Sequence, residues 1–383
     1  MRLRKVVRAP KPNGKDQEQN LRTMNAYRKL TERLLIQPKV WSVSGAAGFI
    51  GSNLVEALLR LNQRVVGLDN FSTGSRGNLE HVRALVGLEK WKNFLHIEGD
   101  TRVLETCQQA THGVDYILHQ AALGSVPRSI ANPLDSHGNN VTGFLNMLMA
   151  ARQNQVKRLV YASSSSVYGD IPELPKREEN IGHCLSPYAA TKRANELYAN
   201  VFNRCYSLEC VGLRYFNVFG PRQDPNGPYA AVIPKWIAAM MQDQPVYING
   251  DGETSRDFCH VSNVIQANLL AATVEKSEAV NEIYNVAVCA RTTLNQLYEL
   301  LRKQLLPWFP HLRDIRPVYQ DFRLGDVRHS EADISKAARL LGYLPSHTLE
   351  QGLSESLDWY RQHLATQTRH RPAEKSVPQS RGT

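Results

Sequence analysis

The stretch Val40-Trp41-Ser42-Val43-Ser44-Gly45-Ala46-Ala47-Gly48-Phe49-Ile50-Gly51 sets three glycines at three-residue intervals directly behind a short β-branched run. A strand that runs straight into a helix leaves free N–H groups at the helix start, and those groups with the helix dipole favour an anion such as a phosphate. Each glycine has a separate task in such a turn. Gly45 permits the tight bend, Gly48 lets phosphates approach the backbone, and Gly51 lets the helix press on the strand. The spacing is GxxGxxG, with Ala46 standing where the plain GxGxxG fingerprint has glycine, so its context must carry the reading. That context is a strand before, a helix after, and Asp69 closing the next strand eighteen residues past Gly51. A carboxylate there accepts both adenosine ribose hydroxyls and repels a 2′-phosphate, which favours NAD over NADP.

Outward from the loop, β-branched runs alternate with helical periods. Strands are expected at Val40–Ser44, Arg64–Asp69, Phe94–Gly99, Asp115–Gln120 and Arg158–Ser163, with helices at Phe49–Leu61, Val141–Ala151 and Pro187–Cys205 and a Gly-rich loop through Gly77. This alternation predicts an α/β doubly wound parallel sheet of the Rossmann type over 38–212. From 213 to 365 prolines become frequent and the alternation weakens, which predicts a smaller α/β substrate-binding domain with some segments returning to the first.

Composition narrows the function. The 383 residues are 42% apolar, enough for a large core, and no window approaches eighteen uninterrupted apolar residues. The start lacks a secretory h-region, so a cytoplasmic protein without membrane insertion is expected. The six cysteines show no ligand spacing, so neither a metal site nor a disulfide framework is indicated. The formal charge of +10 sits at the ends: 1–40 hold eleven Lys/Arg against three Asp/Glu, and 366–383 hold four against one. The first of these segments reads as a basic extension with a leading helix over 1–37, the last as a disordered basic tail. Neither interleaves aromatic with basic residues, and no nucleic-acid partner is expected.

Two further stretches carry chemistry. Tyr161-Ala162-Ser163-Ser164-Ser165-Ser166 ends a strand in hydroxyls, and Ser186-Pro187-Tyr188-Ala189-Ala190-Thr191-Lys192 opens a helix with Tyr188 and Lys192 four apart on one face. An ammonium beside a phenol, reinforced by an oxidised nicotinamide, is expected to pull the phenol below its usual value of about 10 and make Tyr188 a base. YxxxK arises by chance in a chain with 15 tyrosines. Behind a hydroxyl-rich strand end and a dinucleotide loop it is more telling.

Gly45, Gly48, Gly51, Ser164, Tyr188 and Lys192 together resemble the extended short-chain dehydrogenase/reductases, over roughly residues 38 to 362. A narrower resemblance, to bacterial UDP-N-acetylglucosamine 4-epimerases, lies in His119-Gln120-Ala121-Ala122-Leu123-Gly124-Ser125-Val126-Pro127-Arg128-Ser129, Leu213-Arg214-Tyr215-Phe216-Asn217 and Tyr247-Ile248-Asn249-Gly250-Asp251-Gly252-Glu253-Thr254-Ser255-Arg256-Asp257. It implies NAD as cofactor, held by the glycines with Phe49, Ile50, Asp69, Asn70, Asp100, Thr101, Ala121, Ala122, Tyr188 and Lys192. Tyr188 would be the base, Ser164 would bridge it to the sugar 4-OH, and Lys192 would hold the tyrosine and the nicotinamide ribose. Asn217, Val232, Lys235, Tyr247, Asn249, Arg256 and Arg323 would receive the UDP moiety and Asp326 its ribose.

The same resemblance implies the reaction. Dehydratases of this family carry an Asp-Glu pair after the hydroxyl residue and decarboxylases a Glu two positions on, where this chain has Ser165 and Ser166. Oxidation of C4 to a ketone and its reduction on the opposite face is therefore expected, which is epimerisation for surface polysaccharide synthesis. Ser330 stands where epimerases restricted to UDP-glucose and UDP-galactose carry a tyrosine and would leave room for an N-acetyl group, with the small Gly124 and Ser125 on the facing loop helping and Ser165 hydrogen-bonding the acetamide. UDP-N-acetylglucosaminuronic acid is the alternative substrate, and a non-catalytic NAD-binding scaffold a further alternative. A homodimer is implied as well.

Overall fold

The computed structural model describes residues 26–226, 230–322 and 327–369, with side chains through 363. Its centre is a seven-stranded sheet, all parallel, of β1 (Val40–Ser44), β2 (Arg64–Asp69), β3 (Phe94–Glu98), β4 (Tyr116–His119), β5 (Arg158–Ser164), β6 (Glu209–Tyr215) and β7 (Ile283–Val286). The spatial order is β7-β6-β5-β4-β1-β2-β3. Parallel neighbours need a crossover between them, and the intervening helices supply it. The chain moves one way from β1 to β3 and the other way from β4 onward. The crevice between β1 and β4, beyond their carboxyl ends, is where such a sheet receives a ligand.

Both faces of the sheet are covered, which explains the nearly continuous burial of β1, β4 and β5. One face packs Leu54, Leu58, Val264 and Leu270 from helices Phe49–Arg60 and Val261–Thr273. The other packs Cys107, Phe144, Met147 and Phe202 from helices Leu104–Thr111, Gly143–Gln153 and Pro187–Tyr206. A separate core gathers Ile233, Trp236, Leu297, Leu301, Leu353 and Tyr360 from helices Val232–Met241, Leu294–Leu305 and Leu349–Arg369. Among the described residues no helix is long and apolar enough to cross a membrane.

Several expectations need correcting. The Gly-rich loop is short: a helix begins at Arg76, capped by the Ser75 hydroxyl, and runs to Trp91. The helix expected from Val141 starts at Gly143, preceded by a π-helical turn over Gly138–Thr142. β6 crosses the 212/213 boundary, because the apolar run of that strand continues to Tyr215 before the proline-rich texture begins. The segments that come back to the first core are β7 and helix Val261–Thr273, far along the second segment. The expected disordered tail from 366 is helical through Arg369, since helix Leu349–Arg369 docks Leu353, Leu357 and Tyr360 into the second core. A helix occupies 26–36, and residues 1–25 and 370–383 lie outside the described part.

Candidate functional site

The glycine loop owes its shape to missing side chains. Gly45 has φ +71°, and a Cβ on it would lie 2.8 Å from the Ala121 nitrogen at the end of β4. A Cβ on Gly51 would lie 1.9 Å from the Gly45 carbonyl oxygen, which is backbone and cannot rotate away. Helix Phe49–Arg60 therefore starts against the turn, with no side chain capping its first N–H groups. Gly51→Ala is expected to cost about 1–3 kcal/mol of stability. It should also weaken NAD binding at least tenfold, as read by thermal melting and titration calorimetry.

A cleft of about 340 Å³ opens over this turn, lined by Gly45, Gly48, Phe49, Ile50, Gly51, Asp69, Asn70, Thr101, Ala121, Ala122 and Gly124 among others. Asp69 is buried at the end of β2; its Oδ2 accepts the Ala47 N–H at 2.8 Å and its Oδ1 the Phe71 N–H at 2.8 Å. Each carboxylate oxygen retains a lone pair for a further donor. Asp100 stands behind Asn70, which donates to its Oδ2 at 2.8 Å. The Arg102 hydrogen bonds hold the Asp100 carboxyl down at about 2. A floor without Cβ atoms, helix N–H groups at one end and a carboxylate at the other match a dinucleotide's pyrophosphate and ribose.

The next strand ends bring the reactive groups together. Ser164 closes β5, and its Oγ accepts the Ser166 N–H at 3.2 Å and the Ser166 hydroxyl at 3.0 Å, capping the turn that holds Ser165. Tyr188 sits in the first turn of helix Pro187–Tyr206, whose N-cap is the Ser186 hydroxyl. Lys192, 3% exposed, donates to the Ala162 carbonyl at 2.8 Å, and its Nζ lies 5.9 Å from the Tyr188 ring centre. Burial pushes the Lys192 ammonium down to about 8. Burial also raises the Tyr188 phenol above its ordinary value, with a hydrogen bond to Ser164 opposing it. The expected lowering is for Lys192 acting together with an oxidised nicotinamide; in the chain by itself the ammonium over the ring donates to a carbonyl, and desolvation of the phenolate outweighs the Ser164 hydrogen bond.

Several supports escaped the sequence reading. Asn140, in the π-helical turn, donates to Thr191 at 3.1 Å and exchanges hydrogen bonds with the backbone of Leu123, joining the cleft wall to the Tyr188 helix. His119 pairs with Ser44 at 2.7 Å beneath the glycine turn, and burial with the nearby Lys192 charge pushes it down to about 3. Glu196, one turn past Lys192, accepts from Ser163 at 2.7 Å and from buried Arg214 at 2.9 and 3.0 Å. Arg222 reaches from the loop after Asn217 to Asn53 and Glu56 on the glycine-loop helix, at 2.5 and 2.6 Å. Spacing offered a sign only for Glu196, which continues the four-residue series of Tyr188 and Lys192.

The residues expected to face the UDP moiety come from scattered segments. Asn217 follows β6, Val232 and Lys235 lie in the first turn of helix Val232–Met241, and Tyr247 and Asn249 belong to a strand beside Val318–Gln320. Arg256 and Ser330 are brought close: the Ser330 N–H donates to the Ser255 carbonyl at 3.1 Å. The buried Asp257 carboxylate fixes that junction by accepting N–H groups of Val288, Ala290 and Ala332, and burial raises it to about 6. Ser125 holds a φ of +110°, rare for a residue with a side chain, and its hydroxyl accepts the Arg128 N–H. Arg323 and Asp326 lie outside the described residues.

A family model described as "NAD dependent epimerase/dehydratase family" matches residues 41–287. The chain belongs to that family. As a member it uses NAD, and the cleft above is built to fit it. Among relatives, a putative UDP-glucose 4-epimerase of Methanocaldococcus jannaschii is 34% identical over 326 residues, covering 85% of this chain and 99% of the relative. The structure of UDP-N-acetylglucosamine 4-epimerase from Methanobrevibacter ruminantium, in complex with UDP-N-acetylmuramic acid, aligns with a TM-score of 0.78 at 38% identity, covering 85% and 99% of the two chains. UDP-glucuronic acid 4-epimerase from Bacillus cereus, in complex with UDP-glucuronic acid and NAD, aligns at 0.74 and 28% identity, covering 85% and 99%. The family is thus one in which the epimerases keep a common fold while the sugar differs.

Proposed function

We propose that the chain is an NAD-dependent UDP-sugar 4-epimerase that interconverts UDP-N-acetylglucosamine and UDP-N-acetylgalactosamine through a 4-keto sugar. The observation that carries this reading is the grouping of Ser164, Tyr188 and Lys192 at the end of β5, beside a cleft shaped for a dinucleotide. NAD, when bound, supplies the reversible oxidant for C4 and a positive ring charge. Tyr188 takes the 4-OH proton through the Ser164 hydroxyl and returns it after the sugar has turned. Lys192, held on the Ala162 carbonyl, keeps positive charge below the phenol while it is ionised. Asn217, Val232, Lys235, Tyr247, Asn249 and Arg256, with Arg323 and Asp326, hold the nucleotide end, so that the hexose alone moves. Forked guanidinium donors suit that diphosphate.

The sugar preference rests on small side chains. Ser330 is fixed next to Arg256 by its backbone, and Gly124, Ser125, Ser165 and Ser166 are, on this reading, the small residues facing it across a 2-acetamido group. The purified enzyme, given UDP-N-acetylglucosamine, its uronate and UDP-glucose separately without added reductant, should invert C4 of the first with the highest kcat/KM. Ser330→Tyr should shift the ratio of acetylated to plain sugar turnover by roughly 10–200-fold toward UDP-glucose. An unchanged ratio, or faster turnover of the uronate, overturns the assignment.

The homodimer belongs to the same proposal. Helix Pro187–Tyr206 presents Leu197 and Val201, 54% and 48% exposed and four residues apart, on its outer face. An apolar stripe of that kind suits a second copy of the helix.

A further inference from the structure

His260 is 2% exposed, and neither of its ring nitrogens has a hydrogen-bond partner among the described residues. Leaving buried polar atoms unsatisfied costs about 1–3 kcal/mol each, so a native site of this kind calls for an explanation. The ring is closely confined. It lies 5.3 Å from the Phe219 ring and 4.9 Å from the His347 ring, centre to centre. A Cβ on Gly352 would meet its Cβ and Cγ at 2.7 Å, so helix Leu349–Arg369 presses on the imidazole only because residue 352 is glycine. Three residues on, the same helix presents Glu355. Its Oε1 lies 2.9 Å from His347 Nε2, while the other His347 ring nitrogen is paired with the Ser346 hydroxyl at 2.8 Å.

We propose that His260, His347 and Glu355 form a site for a divalent transition-metal cation such as Zn²⁺, with water in the remaining position, outside the catalytic cleft. One ligand atom from each residue lies within 4.8 Å of the others. Two imidazoles and a carboxylate form a donor set that zinc takes, at bond lengths of about 2.0–2.2 Å, which asks for ligand atoms about 3.3 Å apart. The His347–Glu355 pair is already near that separation. The cation takes the place of the proton between Nε2 and Oε1 and draws both atoms toward the fixed His260 ring.

The surroundings suit this role. Ser346 on the remaining His347 nitrogen is the kind of outer partner that orients a metal-bound imidazole. The Asn263 side chain fixes the backbone of that loop, accepting from the Ser346 and His347 N–H groups and donating to the His347 carbonyl at 2.9 Å. Glu355 is 58% exposed and gives the ion a way in from solvent. When filled, the site clamps three segments: strand Cys259–His260, the 344–348 loop and the last helix. Strand Cys259–His260 pairs with Val218–Phe219, directly after Asn217, and follows Arg256 by three residues, so the clamp stiffens the backbone on the UDP side.

The test uses the full-length protein freed of any affinity tag, dialysed with Zn²⁺ and then gel-filtered. About one zinc per chain should remain by elemental analysis, and the melting temperature should stand several degrees above that of an EDTA-treated sample. Glu355→Gln, on the exposed arm of the site and safe for folding, should lower zinc affinity at least about tenfold and abolish most of the shift. His347→Ala should do the same. Zinc content below about a tenth of an equivalent, or binding that survives both substitutions unchanged, would overturn the proposal.

Discussion

Tyr188→Phe should lower kcat by about 10²–10⁴-fold while leaving the melting temperature and the KM for the UDP-sugar nearly unchanged. The variant loses one hydroxyl. The Tyr188 ring packs in the first turn of helix Pro187–Tyr206, and no hydrogen bond that maintains the fold runs through its oxygen, whose counterpart is the Ser164 hydroxyl. Lys192 keeps its bond to Ala162 in the variant, so the local structure survives. What disappears is the group that, in the proposed mechanism, takes the sugar 4-OH proton relayed by Ser164. A Ser164→Ala variant does not substitute as a control, because Ser164 also caps the turn at Ser165–Tyr168. Parent-level conversion by Tyr188→Phe, measured as C4-inverted product by chromatography, would remove the basis of the mechanism.

Glu196→Ala should destabilise the protein by about 3–5 kcal/mol, the usual consequence of leaving a buried charge without its partner. Glu196 and Arg214 are each 1% exposed as side chains, and among the described residues no other carboxylate forms an ion pair with the guanidinium. Replacing both residues by apolar side chains of similar volume should restore most of the loss. The pH dependence has a definite sign. Burial pushes the Glu196 carboxyl up, but the hydrogen bonds and charge of Arg214, with Ser163 and Arg193, outweigh it and hold the group below 4.5. A carboxyl depressed in the folded state contributes stability that is present above its unfolded pKa and lost as pH falls through the folded one. The deficit of the variant should therefore be full at neutral pH and shrink in acid below about 4.5, as chemical denaturation at several pH values will register. Activity should fall too, because the same carboxylate ties the Ser163–Ser164 strand end to the helix that carries Tyr188 and Lys192.

Legibility in the sequence followed burial and periodicity. β1, β2, β5 and helix Phe49–Arg60 were readable because apolar runs and glycine spacing encode local constraints. The helix Arg76–Trp91 was not, since only Leu79 and Val82 are buried in it and Gly87 interrupts its φ/ψ pattern. β7 is four residues long and its assignment to the sheet is a matter of partner, which periodicity does not carry. The chemical groups divide in the same way. Tyr188 and Lys192 announce themselves by helical spacing, whereas Arg214, Arg222 and His119 earn their roles through contacts with residues far away in the chain. The tyrosine's acidity divides likewise: a charge four residues away is visible in the sequence, whereas the desolvation that raises the phenol is a property of the packed interior.

The return of β7 to the sheet means that the polypeptide leaves the nucleotide-binding lobe and later comes back to complete it. A gene cut anywhere between the codons for residues 216 and 282 would separate a six-stranded sheet from its final edge and expose the hydrogen-bonding edge of β6 to self-association. Chimaeras that exchange sugar specificity among relatives therefore have to take segments from both sides of β7, Ser330 included, with β7 itself left to its original owner.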